Sequence, residues 1–194
     1  MSSLRRAAAA CHGCHLHEHA TQTVFGEGPR DASLVLVGEI PGDQEDRSGH
    51  VFVGPAGRVL DAALEAAGID RAAVYMTNAV KHFKFRERGK RRIHQAPTRS
   101  EIKACAPWLS AELDLLSPQA LVLLGATAGK ALIGPDFVLG PVRGKPLQSP
   151  LAPLVIATAH PASILRTIDS SERHAAREAL VADLRLAAGG LRAA

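Results

Sequence analysis

Four short apolar runs, each rich in branched aliphatic side chains, are separated along this chain by segments with helical patterns. The runs have the length of β-strands and cover residues 33–37, 74–80, 120–124 and 154–159. The helical segments lie between and after them, at residues 55–67, 100–116, 127–133 and 172–188. Strands that alternate with helices are typical of a parallel sheet with helices on both faces. The sequence therefore predicts the α/β class, as a three-layer α/β/α sandwich with a central four-stranded parallel sheet.

Local signals support the ends of these helices. Pro55 falls in the first turn of the first helix and Gly68 follows its last turn, and both positions favour these residue types. Thr98 and Glu101 have the spacing of a capping box at the start of the second helix. Pro107 lies within that helix, where proline removes a backbone donor and clashes with the preceding turn, so we expect a kink or a break there.

Size and composition limit the classes of protein that this chain can be. Its 194 residues are 46% hydrophobic, which is enough for a single domain over residues 1–194 with a sizeable core. No apolar run approaches the roughly 20 residues of a membrane span, and the apolar stretch within residues 1–10 is too short for a secretion signal. We therefore expect a cytoplasmic, monomeric protein with no membrane partner. The net charge of +4 modestly favours a polyanionic partner.

Polar residues stand at the ends of three predicted strands. Glu39 follows the first strand, Asn78 lies near the end of the second, and His160 follows the fourth. In a parallel sheet these ends lie at one edge, and ligands bind in the crevice outside it. We therefore expect a carboxylate, a carboxamide and an imidazole to converge there, although they are far apart in sequence.

A basic segment covers residues 81–92. It contains seven basic residues and one acid, and Phe83 and Phe85 are interleaved with them. Such a run is either a mobile, solvated loop or a loop that contacts the phosphates of a nucleic acid. The aromatic residues and Gly89 favour the second interpretation.

Four motifs occur in an order and spacing that resemble a known enzyme superfamily. They are Gly-Glu-x-Pro-Gly from Gly38, Phe-Val-Gly from Phe52, Thr-Asn-x-Val-Lys from Thr77 and His-Pro from His160. Together they resemble the uracil-DNA glycosylase superfamily over residues 11–166, and most closely its iron–sulfur family 4 type. The resemblance implies that this protein excises uracil from DNA, preferably from single-stranded DNA.

Two segments resemble the X-type branch of that superfamily more specifically. They are Gly-Glu-Ile-Pro-Gly-Asp-Gln-Glu-Asp at residues 38–46 and Lys-Arg-Arg-Ile-His at residues 90–94. In this branch a histidine of the second segment bonds covalently to C1′ of the deoxyribose after uracil has left. Position 40 departs from the pattern, because this chain has Ile40 where the X-type motif has a glutamine.

The resemblance implies a catalytic set of four residues. His94 would form the bond to C1′, since a neutral imidazole is a good nucleophile towards an oxocarbenium-like sugar. Glu39 would orient His94 or accept its proton, and Asp43 would support the turn. His160 would donate a hydrogen bond to uracil O2 as negative charge develops on the departing base.

The resemblance also implies how uracil would be held. Phe52 would stack on the extruded base. Asn78 would read the Watson–Crick edge with a donor and an acceptor side by side, and so reject cytosine. The remaining expected contacts come from Gly38, Ile40 and Gln44, with residue 40 contributing only its backbone amide.

Six residues are expected to contact DNA outside the uracil pocket. Leu165 would enter the gap left by the extruded base, with Ile164 as the alternative, and Arg92 would also fix the basic loop. The DNA-binding set is Lys90, Arg91, Arg92, Ser163, Leu165 and Arg166.

The three cysteines predict a metal or cluster site, because in a cytoplasmic chain they do not form a disulfide set. Family 4 enzymes hold a [4Fe–4S] cluster with four cysteines. This chain has Cys11, Cys14 and Cys105, and His82 stands where the family has its remaining cysteine. The resemblance therefore implies a three-Cys, one-His [4Fe–4S] cluster, and imidazole ligation of iron–sulfur centres is known.

Other interpretations of these residues remain open. Cys-x-x-Cys-His at residues 11–15 matches a haem attachment pattern, and three Cys with one His also suit structural zinc. The fourth ligand could instead come from the N-terminal histidines, His12, His15, His17 and His19. For the whole protein, the alternatives are a family 4-type glycosylase that turns over without a stable adduct, or an inactive module that binds uracil or single-stranded DNA.

Overall fold

Seven β-strands form two sheets in the computed structural model, which describes residues 1–192. In chain order they are β1 (Leu34–Gly38), β2 (Val74–Asn78), β3 (Phe85–Arg88), β4 (Arg91–His94), β5 (Ala120–Leu124), β6 (Pro146–Leu147) and β7 (Leu154–Thr158). The helices are α1 (Ser2–Ala9), α2 (Asp43–Ser48), α3 (Pro55–Ala67), α4 (Arg99–Leu116), α5 (Ala126–Leu132), α6 (Pro161–Arg166) and α7 (Ser170–Arg192).

The main sheet has the strand order β2-β1-β5-β7-β6. Its first four strands are parallel, so the prediction of a parallel α/β/α sandwich is confirmed. The strand number was wrong by one, since β6 pairs antiparallel with β7 at the sheet edge. With only two residues, Pro146 and Leu147, that strand is too short to produce a recognisable pattern.

The strand order creates a crevice beside β1. The chain continues from β1 to β2 on one side, whereas β5 pairs with β1 on the other side. The loops after β1 and β5 therefore diverge above the sheet, and this is the place where open α/β sheets bind ligands. The pairing of Gly38 with Asn78 brings the ends of β1 and β2 to the same level.

The core has one apolar layer on each face of the sheet. On one face Leu36, Met76 and Val122 pack with residues of α3 and α7, and on the other face Val35 and Tyr75 belong to the layer that contains residues of α4. Successive side chains of a strand point to opposite faces, so a strand covered on both sides reads as a continuous apolar run. Burial of each large aliphatic side chain contributes about 1.5–3 kcal/mol.

Helix α4 runs through Pro107 as one element, so the expected break is wrong. Pro107 lies on the exposed face of the helix, where water can bond to the carbonyl that loses its partner. The predicted capping box is confirmed: Thr98 Oγ1 accepts a bond from the Glu101 amide at 3.3 Å, and the Glu101 carboxylate accepts one from the Thr98 amide at 2.6 Å.

The basic segment is not a loop but mostly a β-hairpin. Strands β3 and β4 pair antiparallel with Phe85 opposite His94, and Gly89 takes a positive φ of 58° at the turn. We call residues 85–94 the basic hairpin. Across residues 1–192, none of the helices has both the length and the apolar character needed to cross a lipid bilayer.

Candidate active site

A cavity of about 520 Å³ opens at the carboxyl edge of the main sheet. The predicted convergence of Glu39, Asn78 and His160 is therefore found, and the basic hairpin adds Ile93 and His94. The other residues that line the cavity are Ile40, Pro41, Gly42, Asp43, Gln44, Glu45, Phe52, Pro55, Ala56, Ala162, Leu165 and Arg166.

Phe52 and Asn78 meet above Gly38, at the end of β1. A Cβ atom on Gly38 would lie 2.4 Å from Asn78 Oδ1 and 2.6 Å from Phe52 Cζ, so only glycine fits between them. Phe52 is buried and has a φ of 53°, a left-handed conformation that is strained for a bulky residue. Its backbone is held by close packing against Gly57, where a Cβ would overlap the Phe52 carbonyl. The ring and the carboxamide are therefore closely confined.

His160 is held in one tautomer by the helix that follows it. It is the N-cap of α6, and its Nδ1 accepts a bond from the Ala162 amide at 3.1 Å. The neutral ring must then carry its proton on Nε2. Burial is the main cause that lowers the pKa of His160 to about 4; Glu39 acts in the opposite direction, and His94 and Arg166 act in the same direction as burial. At neutral pH the site therefore contains an uncharged imidazole with a free N–H donor.

Glu39 connects two segments across the cavity. Its Oε2 accepts a bond from Thr127 Oγ1 at 2.5 Å, at the start of α5. Its Oε1 lies 3.8 Å from His94 Nε2, which is close but longer than a hydrogen bond. Burial lowers the pKa of His94, although Glu39 raises it, with Arg166 lowering it again. The His94 side chain is 45% exposed, so a neutral imidazole faces both the carboxylate and an open approach.

Arg92 fixes the basic hairpin to α2. Its Nε donates to Asp43 Oδ1 at 2.5 Å and its Nη1 to Asp46 Oδ2 at 2.6 Å. The guanidinium carbon also lies 5.2 Å from the centre of the Phe83 ring and 5.0 Å from that of Phe85. The structure thus agrees with the expected loop-fixing role of Arg92. The guanidinium of Arg92 is already bonded to two carboxylates. The DNA contact expected of Arg92 stays a prediction.

Two acids after β1, Asp43 and Glu45, have different partners. Asp43 pairs with Arg47 and Arg92, and these hydrogen bonds outweigh the effect of burial and hold its pKa below the usual range. Glu45, which the sequence did not single out, is buried, lines the cavity and accepts a bond from the Gly54 amide at 2.7 Å.

The α6 residues separate into buried and exposed positions. Ile164 is 2% exposed and belongs to the core, whereas Leu165 is 45% exposed beside the cavity. Of the two candidates for entering the DNA stack, only Leu165 is therefore accessible. Arg166 also lines the cavity, and Ser163 Oγ donates to the His160 carbonyl at 2.7 Å. Lys90 and Arg91 lie exposed at the turn of the basic hairpin.

Cys11 and Cys14 lie beside α4, the helix that carries Cys105. Cys11 Sγ accepts bonds from the Gly13 amide at 3.4 Å and from Trp108 Nε1 at 3.0 Å. Cys105 Sγ accepts one from the Lys81 amide at 3.3 Å, and burial raises its pKa to about 11. Cys14 packs against the same small apolar cluster as Cys105.

His82, the expected fourth ligand, is buried, and its Nε2 lies 2.8 Å from Thr23 Oγ1. Within residues 1–192, no three His, Cys, Asp or Glu side chains form a metal-binding group as they stand. The thiols and the imidazole are nevertheless the soft and borderline donors that iron–sulfur and zinc sites use.

Comparison with known proteins identifies the family of this chain. Residues 25–185 match the Uracil DNA glycosylase superfamily. The type-4 uracil-DNA glycosylase of Thermotoga maritima is 39% identical over 157 residues, which cover 80% of this chain and 78% of that protein. The type-4 enzyme of Pyrobaculum aerophilum is 36% identical over 80% of both chains, and that of Archaeoglobus fulgidus is 33% identical over 85% of this chain and 83% of its own. The chain therefore belongs to the uracil DNA glycosylase superfamily.

Proposed function

We propose that this protein is a uracil-DNA glycosylase, which cleaves the bond between uracil and the deoxyribose of DNA. One observation carries the proposal: a single cavity presents an aromatic ring, a carboxamide and an uncharged imidazole donor, from Phe52, Asn78 and His160. These groups suit the face, the Watson–Crick edge and the developing negative charge of an extruded uracil. The relatives named type-4 uracil-DNA glycosylases support the same activity.

The three groups act on different parts of the base in this proposal. Phe52 stacks on the ring, and the Asn78 amide pairs with the adjacent donor and acceptor of uracil. His160 donates from Nε2 to O2 when the bond to the sugar breaks and the electron pair moves onto the base. Loss of one such donor typically costs a factor of roughly 10²–10³ in rate.

What replaces uracil at C1′ separates two candidate functions. Hydrolysis with turnover is favoured by the similarity to type-4 enzymes over most of the chain. In that reaction Glu39 would accept a proton from the attacking water. The Lys-Arg-Arg-Ile-His segment of the X-type branch supports the second candidate, a bond from His94 to the sugar.

The position of His94 supports the second candidate, the bond from His94 to the sugar. The His94 imidazole lies at the cavity, with its Nε2 3.8 Å from a Glu39 oxygen and with its pKa lowered by burial. As the C1′–N1 bond breaks, the lone pair of the unprotonated ring nitrogen would form the new bond. The proton on the other ring nitrogen would then pass to Glu39 or to water.

Both candidates are tested by denaturing electrophoresis. The protein is incubated with a labelled single-stranded oligonucleotide that contains one uracil, beside a thymine control. An SDS- and heat-stable shifted band that is lost in His94→Ala would mean that His94 forms an adduct. Alkali-cleavable sites without a shifted band would mean hydrolysis, and intact DNA in both assays would contradict the glycosylase proposal. The same assay on double-stranded DNA tests the expected preference for single strands.

We also propose that Cys11, Cys14, Cys105 and His82 hold a [4Fe–4S] cluster, which when bound would tie the N-terminal segment to α4. The N–H···S bonds to Cys11 and Cys105 support this, because such bonds accompany thiolates in iron–sulfur sites. Iron and acid-labile sulfide should copurify with the protein and decrease in His82→Ala. Stoichiometric zinc without sulfide would contradict the cluster. The monomeric state and the cytoplasmic location stay predictions.

A further inference from the structure

An ion pair between Lys81 and Glu112 is buried beside β2, the strand that ends at Asn78. Lys81 is 1% exposed and Glu112 is fully buried, and the Lys81 Nζ atom contacts a Glu112 carboxylate oxygen directly. Glu112 belongs to α4, on the face of the sheet away from Phe52. Removal of two charges from water is costly, and replacing such a pair by apolar residues is often neutral or stabilising. The pair therefore calls for an explanation other than stability.

The contacts of the ammonium group supply one. Besides Glu112, Lys81 Nζ donates to Thr77 Oγ1 at 2.7 Å and to the backbone carbonyl of Asn78 at 2.8 Å. A lysine has three N–H donors, so all of them are used. One of the three holds the residue that is proposed to read uracil.

Glu112 in turn collects donors around the same strand. It accepts bonds from the Gly26 amide at 3.0 Å and from the Tyr75 hydroxyl at 2.8 Å, and further bonds from Thr77. The pair is thus fixed from β2 itself and from the segment that precedes β1. Its freedom to shift relative to Asn78 is small.

The turn at residues 78–81 is also bonded to the end of β1 and to the residue that follows it. The Ala79 amide donates to the Gly38 carbonyl and the Val80 amide to the Glu39 carbonyl, both at 3.0 Å. Residues 78–81 are therefore held between the ammonium group and the backbone of two residues of the site. Lys81 does not itself line the cavity, and of the residues that its Nζ atom bonds, Asn78 is the one that does.

We propose that Lys81 and Glu112 are positioning residues for base recognition, which fix the Asn78 carbonyl and so aim its carboxamide at uracil. The inference rests on the proposed function, because it concerns how the same site selects its base. A displacement of about 1 Å in a recognition group can cost roughly 10²-fold in rate. A rigid hold on this one backbone position therefore has a large functional effect.

The test separates position from stability. Lys81→Met alone leaves Glu112 as a buried unpaired charge and is expected to destabilise the fold. Lys81→Met combined with Glu112→Gln removes both charges and keeps an acceptor for Tyr75 and Gly26. We expect the double variant to regain most of the lost stability but to excise uracil roughly 10- to 100-fold more slowly at saturating enzyme. If the pair were purely structural, the double variant would regain both stability and the parent rate of excision, and that result would overturn the proposal.

Arg185→Met provides the matched control. Arg185 also donates to a backbone carbonyl, that of Ala66 at the last turn of α3, far from Pro55 and Ala56 at the start of that helix, which line the cavity. Its excision rate should stay within about twofold of the parent. Glu112→Gln alone leaves Lys81 as the unpaired buried charge but keeps its bond to the Asn78 carbonyl, so its rate of uracil excision should fall less than that of the double variant.

A second readout does not depend on catalysis. The side-chain amide signals of Asn78 in ¹⁵N-resolved NMR spectra, assigned with Asn78→Asp, should shift or broaden in the double variant and stay unchanged in Arg185→Met. Unchanged signals would overturn the positioning role whatever the activity. If the parent protein itself leaves uracil-DNA intact, the proposed function fails, while the NMR comparison still decides whether Lys81 and Glu112 fix Asn78.

Discussion

At the scale of single residues, the site depends on Gly38 having no side chain. Gly38 leaves room for the Asn78 carboxamide and the Phe52 ring to meet at the end of β1. Gly38→Ala should displace one of them, and overpacking of this kind costs about 1–3 kcal/mol. We expect the rate of uracil excision to fall roughly 5- to 100-fold, measured under single-turnover conditions.

Gly140→Ala is the matched control for this change. Nothing lies within 4 Å of a Cβ built on Gly140, and its φ is not in the left-handed region, so the variant should retain the parent rate. A Gly38→Ala protein as active as Gly140→Ala would show that Phe52 and Asn78 can give way without loss of function.

Residues at strand ends could be predicted, whereas their partners could not. Glu39 and His160 follow apolar runs directly, so the topology of a parallel sheet was enough to bring them together. Thr127 and Glu45 sit in helical segments and meet the site only through the path of the loops. Glu112 could not be predicted, because a single acid on a helix is normally solvent-exposed and here its buried partner, Lys81, comes from the segment after β2.

At the scale of elements, the ion pairs of Arg92 join the basic hairpin to α2. Arg92 joins β4 to α2 through Asp43 and Asp46 and places His94, two residues later, at the cavity. Arg92→Lys keeps the charge but loses the planar fork that reaches both carboxylates and the two aromatic faces. We expect faster amide hydrogen exchange in the hairpin and a reaction at the uracil site slowed roughly 10-fold or more.

Arg91→Lys tests whether the loss is specific to that contact. Arg91 is exposed on the same strand and its charge is equally preserved. Equal hydrogen exchange in the two lysine variants would contradict the idea that Arg92 holds the hairpin.

The hairpin also explains one limit of prediction from sequence. Its residues are mostly charged on both faces, so the alternation of apolar and polar residues that marks a strand is absent. Aromatic contacts with Arg92 and the ion pairs to α2 replace a conventional apolar face. The strands of the main sheet, in contrast, are buried on both sides and were recognisable as continuous apolar runs.

At the scale of the whole molecule, the half-buried imidazole of His160 links the site to stability. Its pKa is about 4 in the folded protein and about 6.5 when unfolded, so between these values only the unfolded chain binds the proton. The free energy of unfolding is therefore fully retained above pH 6.5 and decreases as the pH falls towards 4. Between pH 7 and pH 5 this residue should account for a loss of about 1–2 kcal/mol.

Urea unfolding at pH 7 and pH 5 measures this effect. His160→Gln should lose less stability over that interval than the parent, because one depressed pKa is removed. His82 and His94 also have lowered pKa values and contribute a loss in the same direction to both proteins. Identical losses in parent and variant would mean that His160 is not kept uncharged by the fold.

The distribution of the site over the chain has a consequence for biosynthesis. About 66 residues separate His94, the last residue of the basic hairpin, from His160, and a ribosome making 5–20 residues per second needs roughly 3–13 s to cover them. For that time the nascent polypeptide carries the basic hairpin but lacks β7 and the His160 imidazole, which complete the cavity. A truncated or still tethered chain could thus touch nucleic acid without attacking it, and competence arrives only when translation has delivered the last parallel strand.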